Sequence, residues 1–225
     1  MDEPPDLLAY ERPLIGRGEV VVGLDEVGRG ALAGPVTVGA VVVVDDSPPP
    51  VGLRDSKCLT PLQRARLVGP LERWAADWSL GSASADEIDE WGLRTALTVA
   101  ATRALDGLSR RPTFALLDGP VNFLDAPSDV RLAESIPPML RYSSLAHRAI
   151  VRGDQVSAAI AGAAVLAKVH RDALMGSLEG AFDYGWAANK GYGVPEHLDA
   201  LRRVGPCAQH RRTWRLPAAD GVPLV

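Results

Sequence analysis

The fold of this chain is set by Val20-Val21-Val22-Gly23-Leu24-Asp25-Glu26-Val27-Gly28-Arg29-Gly30, an apolar run that ends in two carboxylates and a glycine-flanked arginine. The run 20–24 is short and β-branched, which predicts a strand buried on both faces. A carboxylate directly after such a strand is costly unless a cation, a donor or water meets it. The glycines allow close backbone approach to a ligand, and the guanidinium of Arg29 suits phosphate. The plainer alternative is a strand followed by a polar turn, in which Asp25 caps a helix.

Composition places the chain among ordinary globular proteins. Its 225 residues can bury a full core, with 47% hydrophobic and 23% charged residues. The longest apolar run, 36–44, is too short to span a bilayer, and residues 1–12 lack the features of a signal peptide. Cys58 and Cys207 do not form a disulfide or metal-binding pattern. These observations predict a cytoplasmic protein with no membrane association. The net charge of −4 argues against binding nucleic acid by bulk electrostatics but permits a local basic patch.

Hydrophobic periodicity and turn residues predict an alternation of strands and helices. Strands are predicted at 20–24, 36–44, 78–83, 113–117 and 147–152, and helices at 61–76, 85–105, 157–182 and 195–204. Ser84 and Glu87 have the spacing of a capping box, and Gly92 is predicted to break the helix that follows. Residues 1–18 are interpreted as a leader. The long irregular segment 120–146 is of a kind that is often functional or disordered.

Three of these strands end in carboxylates: Asp25 with Glu26, Asp118, and Asp154. In an open α/β sheet, ligands collect outside the carboxyl ends of the strands, and neighbouring strands lie about 4.8 Å apart. Four carboxylates in one pocket repel one another unless cations are present, and oxygen ligands select Mg²⁺ or Mn²⁺. Two such ions can activate a water and stabilise a leaving oxygen in phosphoryl transfer. The alternative for any one of these acids is a simple turn former.

Basic residues on the long helix are candidates for phosphate contacts. Lys168 and Arg171 are three residues apart and therefore share a helix face. The alternative is a solvated face in which Lys168 pairs with Asp172, and for Asp172 this interpretation is preferred to a role in metal binding.

The motif 23–30 resembles the signature of the type 2 ribonuclease H family, and of its bacterial ribonuclease HII branch in particular. Further segments match in the family's order: Leu53-Arg54-Asp55-Ser56-Lys57, Leu117-Asp118-Gly119, Gly153-Asp154, Val165-Leu166-Ala167-Lys168-Val169-His170-Arg171-Asp172, Lys190-Gly191-Tyr192-Gly193 and His210-Arg211. The resemblance covers about residues 19–214. Each piece is short, but the ordered set is specific.

The resemblance implies an α/β fold of the ribonuclease H type, a five-stranded mixed sheet flanked by helices with a helical C-terminal extension. The implied boundaries are a catalytic domain at 19–182 and an extension at 183–225 packed on it. The implied activity is metal-dependent hydrolysis of RNA in RNA–DNA hybrids and incision 5′ to single ribonucleotides in duplex DNA, leaving 3′-hydroxyl and 5′-phosphate ends. The implied partners are those nucleic acids, and a monomer is the expected state.

The resemblance also assigns roles to individual residues. The implied catalytic and metal-binding residues are Asp25, Glu26, Asp118 and Asp154, with two Mg²⁺ or Mn²⁺ ions. The implied substrate-binding residues are Gly28, Arg29, Gly30, Tyr192, Lys57, Lys168 and Arg171. Tyr192 would lie against the sugar, although a half-buried aromatic in a glycine turn is the plainer alternative. The basic residues would contact phosphates, as would a cluster at 202–215.

The chain departs from the family pattern at two places. The segment between Asp118 and Asp154 is about twice the expected length, and Ala164 stands where the family usually has a serine. Residues 221–225 lack the aromatic pair expected of a sliding-clamp-binding tail. Two other functions are considered: an inactive hybrid-binding module of the same fold, and a phosphoryl-transfer enzyme with another substrate. The complete set of acids argues against the first, and Arg29 with Tyr192 against the second.

Overall fold

Five strands form one mixed sheet in the computed structural model, which describes residues 6–120, 122–124 and 141–218. The strands are β1 (Val21–Val27), β2 (Val36–Val43), β3 (Asp77–Ala83), β4 (Phe114–Asp118) and β5 (Ala146–Ile150). Their order across the sheet is β3-β2-β1-β4-β5. β2 is antiparallel to both β1 and β3, whereas β1, β4 and β5 run parallel. The predicted five-stranded mixed sheet is therefore confirmed.

Helices cover both faces of this sheet. They are α1 (Glu11–Ile15), α2 (Pro61–Trp74), α3 (Ala85–Asp106), α4 (Ala158–Ser177), α5 (Trp186–Asn189) and α6 (Pro195–Val204), with short 3₁₀ turns at Ser56–Cys58 and Gly153–Gln155. α3 packs with Val22, Leu24 and Val38 on one face. α4 and α2 pack with Val41 and Val43 on the other. Successive strand residues thus contribute to opposite cores, as the two-residue period of a strand requires.

Local sequence signals account for the helix boundaries. Thr60 and Ser84 each form a capping box with the residue three positions on, and the predicted break at Gly92 is present as a kink with φ of 76°. Ser157 caps α4 through a bond from the amide of Ile160 to its hydroxyl. The predicted end of α4 near residue 182 is wrong, because the chain turns to an extended conformation at Leu178.

The prediction that β1 stops at residue 24 is also wrong. β1 continues to Val27 because β2 extends far enough to pair with it, so that Asp25 lies opposite Gly39 and Glu26 opposite Val38. Pairing with β4, however, ends at Leu24 and Leu117. Asp25 therefore follows the end of the parallel ladder while it still belongs to the antiparallel one.

The small residues of α4 let that helix approach the sheet very closely. A side-chain carbon added to Gly23 of β1 would lie 2.2 Å from the backbone carbon of Ala159 and 2.6 Å from its Cβ. Glycine is needed at this position because the helix backbone occupies the space of a side chain. The contact places Ala164 and Lys168, further along α4, in the same cleft as Asp25.

The N-terminal segment of the described chain packs on this framework. Leu8 and Leu14 are buried, and the carboxylate of Glu11 accepts bonds from the Ser157 hydroxyl (2.6 Å) and the Ala159 amide (3.0 Å). The segment interpreted as a leader therefore contacts the start of α4. Most of the predicted irregular segment and the tail at 221–225 lie outside the described residues. Within the described part of the chain, no helix has the length and apolar character needed to span a membrane.

Candidate active site

The structure brings three strand-end carboxylates together. Asp25, Asp118 and Asp154 each offer an oxygen, and these oxygens lie within 4.8 Å of one another. Asp25 comes from β1, Asp118 ends β4, and Asp154 lies in the 3₁₀ turn that follows β5. Because these strands are parallel neighbours, their carboxyl ends meet at one edge of the sheet.

Backbone amides fix the positions of these carboxylates. Asp118 Oδ1 accepts from the amide of Gly153 at 2.7 Å, and the amide of Gly119 donates to the carbonyl of Ile150 at 2.9 Å. These bonds tie the turn that contains Asp154 to the end of β4. The long segment between Asp118 and Asp154 therefore does not separate them. Asp25 Oδ1 accepts from the amide of Glu26 at 2.7 Å.

The cluster is costly to ionise without a cation. Burial, followed by the neighbouring charges of Asp118, Glu26 and Asp154, raises the pKa of Asp25 well above its usual range. Burial, the neighbouring carboxyl group of Asp55 and the charge of Asp118 raise the pKa of Asp154 to about 6. Asp154 Oδ2 is buried without a hydrogen-bond partner among the described residues. Lys57 Nζ lies 3.5 Å from it, but that side chain is 79% exposed and neutralises the cluster only weakly.

These features fit a divalent cation. Three oxygens converge, one buried carboxylate oxygen has no hydrogen bond among the described residues and only the exposed Lys57 ammonium nearby, and hard cations prefer oxygen ligands of this type. Acidic clusters of this kind bind their cation most tightly when every carboxylate is ionised.

Asp25 and Asp118 open onto a cleft of about 300 Å³, whereas Asp154 does not line it. The predicted site residues that line it are Asp25, Glu26, Gly28, Arg29, Gly30, Lys57, Asp118, Lys168 and Tyr192. Glu26 lies outside the group of three and pairs with Arg29 Nη1 at 3.3 Å. Burial raises the pKa of Glu26, and Arg29 partly offsets this effect. Ala164 also lines the cleft.

The match to a family model and the similar sequences agree on one family. Residues 22–216 match the family model described as Ribonuclease HII. The chain is 45% identical over 198 residues to ribonuclease HII of Streptomyces griseus, covering 86% of this chain and 76% of that one. It is 44% identical over 209 residues to ribonuclease HII of Burkholderia mallei, covering 92% and 88%. The chain belongs to the ribonuclease HII family. It is a metal-dependent endoribonuclease of the type that acts on RNA–DNA hybrids.

Solved structures of the ribonuclease HII type share the fold. The ribonuclease H2 of Pyrococcus horikoshii has a TM-score of 0.65 at 28% identity, over 86% of this chain and 93% of that one. A structure of the PCNA:RNase HII complex from Archaeoglobus fulgidus has a TM-score of 0.67 at 22% identity, over 90% and 98% of the two chains. This second likeness concerns the fold alone.

Lys168 and Arg171, the two basic residues of α4 predicted to contact phosphates, lie in different environments. Lys168 Nζ pairs with Asp172 at 2.8 Å, as the alternative interpretation predicted, and lies 5.7 Å from the Tyr192 ring centre at the cleft. Arg171, predicted to contact phosphate, has no exposed surface. Its guanidinium donates to the carbonyls of Ala33, Pro35 and Lys190. The prediction of a phosphate contact for Arg171 is therefore corrected, because all three of its nitrogens are engaged inside the protein.

Two residues of the site, Asp55 and Arg64, were not assigned from the sequence, and Arg211 was predicted only as part of the basic cluster at 202–215 that would contact phosphates. Asp55 is 7% exposed and accepts from the amide of Lys57 at 2.8 Å, which orients the turn bearing that lysine. Arg64 donates to the carbonyls of Ser56 and Leu59 and supports the same turn. Arg211 is fully buried beneath the loop after β1 and donates to the carbonyls of Gly28 and Arg29, so the predicted phosphate contact is wrong for this member of the cluster. Asp55 and Arg211 belong to segments that match the family pattern, but their burial has no signal in the sequence.

Metal stabilisation of this ribonuclease HII-type site should depend on pH. When folding raises the pKa of a carboxyl group, its ionisation lowers the free energy of unfolding at pH values above the folded-state pKa. This loss of stability disappears as the pH falls to the unfolded-state pKa, because the group is then protonated in both states. For Asp154 this window lies between about 6 and its ordinary value of 3.8. Saturating Mn²⁺ should therefore raise the melting temperature more at about pH 8 than at about pH 5.

The measurement is differential scanning fluorimetry with and without Mn²⁺ at matched ionic strength. Other titrating groups, such as His210, affect both samples at a given pH and cancel in the difference. Equal melting-temperature shifts at the two pH values would show that the cation does not bind to this carboxylate cluster.

Proposed function

We propose that this enzyme incises duplex DNA 5′ to single ribonucleotides as well as hydrolysing RNA in RNA–DNA hybrids, and that it leaves 3′-hydroxyl and 5′-phosphate ends. One observation supports this proposal above others. Asp25 and Asp118 of the carboxylate cluster line the same cleft as the loop Gly28-Arg29-Gly30, so the groups proposed to cut and the groups proposed to recognise ribose are adjacent.

In this proposal Asp25, Glu26, Asp118 and Asp154 hold two ions, Mg²⁺ or Mn²⁺. Bound divalent ions would supply an activated water and charge neutralisation at the scissile phosphate. The chain's own part is to fix the carboxylates through the amides of Glu26 and Gly153. Arg29, paired with Glu26, would hold that carboxylate at the cleft until substrate arrives.

Ribose recognition is assigned to Gly28, Arg29, Gly30 and Tyr192. Only the 2′-hydroxyl distinguishes RNA from DNA at a given position. Within the described residues, the backbone amides of Arg29 and Gly30 have no hydrogen-bond partner, and both residues line the cleft. These two donors are available to a hydroxyl oxygen or a phosphate oxygen. Tyr192 is half-buried beside them and offers its ring to the sugar.

Lys57 and Lys168 are assigned to phosphates of the substrate strand. Lys57 is largely exposed, and its Nζ lies 3.5 Å from Asp154. Lys168 lies between Asp172 and Tyr192 at the cleft. Both are cations at the entrance to an acidic site, where they would offset repulsion between the carboxylates and an approaching polyanion. Cytoplasmic localisation and a monomeric state stay predictions from the sequence.

The alternative is a catalytically quiet module that binds hybrids. It has one point in its favour, since Ala164 removes a hydroxyl beside the acids. A binding module, however, gains nothing from a buried carboxylate cluster that costs stability without a cation. The enzyme proposal is therefore preferred.

The test maps the cut in a labelled duplex that contains one ribonucleotide. We expect one nick on the 5′ side of the ribonucleotide, with a 3′-hydroxyl that a DNA polymerase extends. A cut on the 3′ side, or an end that the polymerase cannot extend, would contradict the proposed chemistry.

Replacement of Arg29 by alanine should weaken the selectivity for a ribonucleotide, whereas the affinity for Mn²⁺ should change little. A charge-assisted hydrogen bond contributes about 1.5–3 kcal/mol, so we expect kcat/KM on the single-ribonucleotide duplex to fall by about tenfold or more. Mn²⁺ titration of the same variant should give an affinity close to that of the unaltered protein. An unchanged kcat/KM would remove Arg29 from the recognition of ribose.

A further inference from the structure

Two arginines lie beneath the cleft with no contact to solvent. Arg171 on α4 and Arg211 near the C-terminal end of the described chain are both fully buried. Within the described residues, neither forms an ion pair with a carboxylate. Burial lowers the pKa of Arg211 to about 10. A buried cation without a carboxylate is costly, so other groups must offset its lost hydration.

Backbone carbonyls offset the lost hydration of both guanidinium groups. Arg211 Nη2 donates to Gly28 at 2.6 Å, Nη1 to Arg29 at 2.9 Å, and Nε to Gly34 at 3.2 Å. The planar fork of a guanidinium is suited to several acceptors at once, which a lysine ammonium cannot match in the same geometry. Arg211 therefore fixes the conformation of the loop between β1 and β2 from below.

Arg171 joins that loop to the segment that contains Tyr192. Its Nε donates to Pro35 at 2.8 Å, its Nη2 to Ala33 at 3.1 Å, and its Nη1 to Lys190 at 3.0 Å. The guanidinium also lies directly against Gly28, where an added side-chain carbon would be 2.1 Å from Nε. Gly28 has φ of 85°, so both its conformation and its contact with Arg171 require glycine.

Other bonds fasten the Tyr192 segment to the same structure. The amide of Leu32 donates to the carbonyl of Gly191 at 2.8 Å. His197 Nδ1 donates to the carbonyl of Tyr192 at 3.0 Å, since a carbonyl can only accept. The loop after β1 and the Tyr192 segment thus form one connected unit, with the two arginines at its centre.

The direction of the carbonyls determines where the amides point. In a trans peptide the C=O and the following N–H lie on opposite sides, and the described chain has no cis peptide. The carbonyls of Gly28 and Arg29 face inward to Arg211. The amides of Arg29 and Gly30, which lack an internal partner, are therefore directed away from Arg211, and both residues line the cleft.

We propose that Arg171 and Arg211 are positioning residues for ribose selection, which hold the amides of Arg29 and Gly30 and the ring of Tyr192 in a fixed arrangement. This inference rests on the proposed function, because it explains how the assigned recognition loop keeps its shape. Neither arginine contacts substrate. Their effect on the reaction is exerted through the loop, and misplacement of a recognition group by about 1 Å can cost about 10²-fold in rate.

The experiment compares Arg211→Lys and Arg171→Lys with the unaltered protein. Binding is measured in Ca²⁺ to a duplex with one ribonucleotide and to the all-DNA duplex of the same sequence, and kcat/KM is measured in Mg²⁺. Arg103→Lys is the matched control, since Arg103 pairs with Glu87 on the surface of α3. We expect each buried variant to lose the preference for the ribonucleotide duplex and about 10²-fold in kcat/KM. The affinity for Mn²⁺ and the affinity for the all-DNA duplex should stay unchanged. A general loss of structure would lower both.

A second variant tests the loop contact directly. Arg211→Ala should regain part of its ribonucleotide preference when guanidinium chloride is added at a low, non-denaturing concentration, whereas an Arg103→Ala variant should not respond. Absence of rescue in a folded Arg211→Ala protein would overturn the positioning role of Arg211.

If the variants do not fold, the unaltered protein still gives an answer by NMR. The Nε–H protons of Arg171 and Arg211 should exchange slowly, and the ribonucleotide duplex should shift the amide signals of Arg29 and Gly30. Exchange as fast as that of an exposed arginine would overturn the inference. Absence of a ribonucleotide preference in the unaltered protein would instead overturn the proposed function, whereas a preference retained in both lysine variants would overturn the inference alone.

Discussion

Replacement of Asp25 by asparagine is expected to abolish cleavage while making the metal-free protein more stable. Asp25 is 7% exposed, and the charges of Asp118, Glu26 and Asp154 oppose its ionisation. Asparagine is of similar size, and its Oδ1 can still accept from the amide of Glu26. The substitution therefore removes a buried negative charge without removing the hydrogen bond.

The two effects have opposite signs for one physical reason. The charge that is unfavourable in the metal-free protein is the charge that a divalent cation requires, so its loss removes the ligand and the repulsion together. We expect kcat to fall by at least about 10³-fold. We expect the free energy of unfolding without metal to rise by about 1–2 kcal/mol, as is usual where an active site is optimised at the expense of stability.

Chemical denaturation in EDTA and a hybrid cleavage assay measure these quantities. Asp199→Asn is a suitable control, since Asp199 is largely exposed and pairs with Arg202 on α6. The control should change neither quantity. An Asp25→Asn protein that is less stable than the unaltered one would show that Asp25 supports the fold rather than a cation.

Replacement of Gly23 by alanine is expected to be strongly destabilising. The new methyl group would lie 2.2 Å from the backbone carbon of Ala159 and 2.4 Å from the amide nitrogen of Ile160. A backbone cannot move aside as a flexible side chain can, so α4 must shift away from β1. Overpacking of this kind costs about 3 kcal/mol, and the shift would also displace Ala164 and Lys168 at the cleft.

The matched control is Gly176→Ala in the same helix. An added methyl group there lies 3.9 Å from its nearest neighbour, and alanine in a helix is favoured over glycine by about 1 kcal/mol. Thermal unfolding should therefore show a decrease for Gly23→Ala and an increase for Gly176→Ala. A Gly23→Ala protein with an unchanged melting temperature would contradict the close packing of α4 on β1.

Much of the fold could be predicted because its signals are local. Short apolar runs rich in β-branched residues predicted the strands, and the capping box at Ser84 and Glu87 predicted the start of α3. The grouping of Asp25, Asp118 and Asp154 follows from the parallel order of the strands that precede them. The continuation of β1 through Glu26 could not be predicted in this way, because it depends on how far β2 extends beside it.

The buried arginines show where sequence reasoning reaches its limit. Lys168 and Arg171 were expected to face phosphates together because three residues separate them. Two positions that are three residues apart on a helix, however, can lie on opposite sides of the boundary between the cleft and the protein interior. Arg171 lies on the inner side. No local pattern distinguishes an arginine that binds three carbonyls from one that binds a phosphate, since the guanidinium suits both.

The most direct measurement is cleavage of a labelled DNA duplex that contains one ribonucleotide, beside the same duplex without it, in Mg²⁺, in Mn²⁺ and in EDTA. We expect incision 5′ to the ribonucleotide with a divalent ion, none in EDTA, and none of the all-DNA duplex. Equal cutting of both duplexes, or binding without incision in either metal, would contradict this expectation.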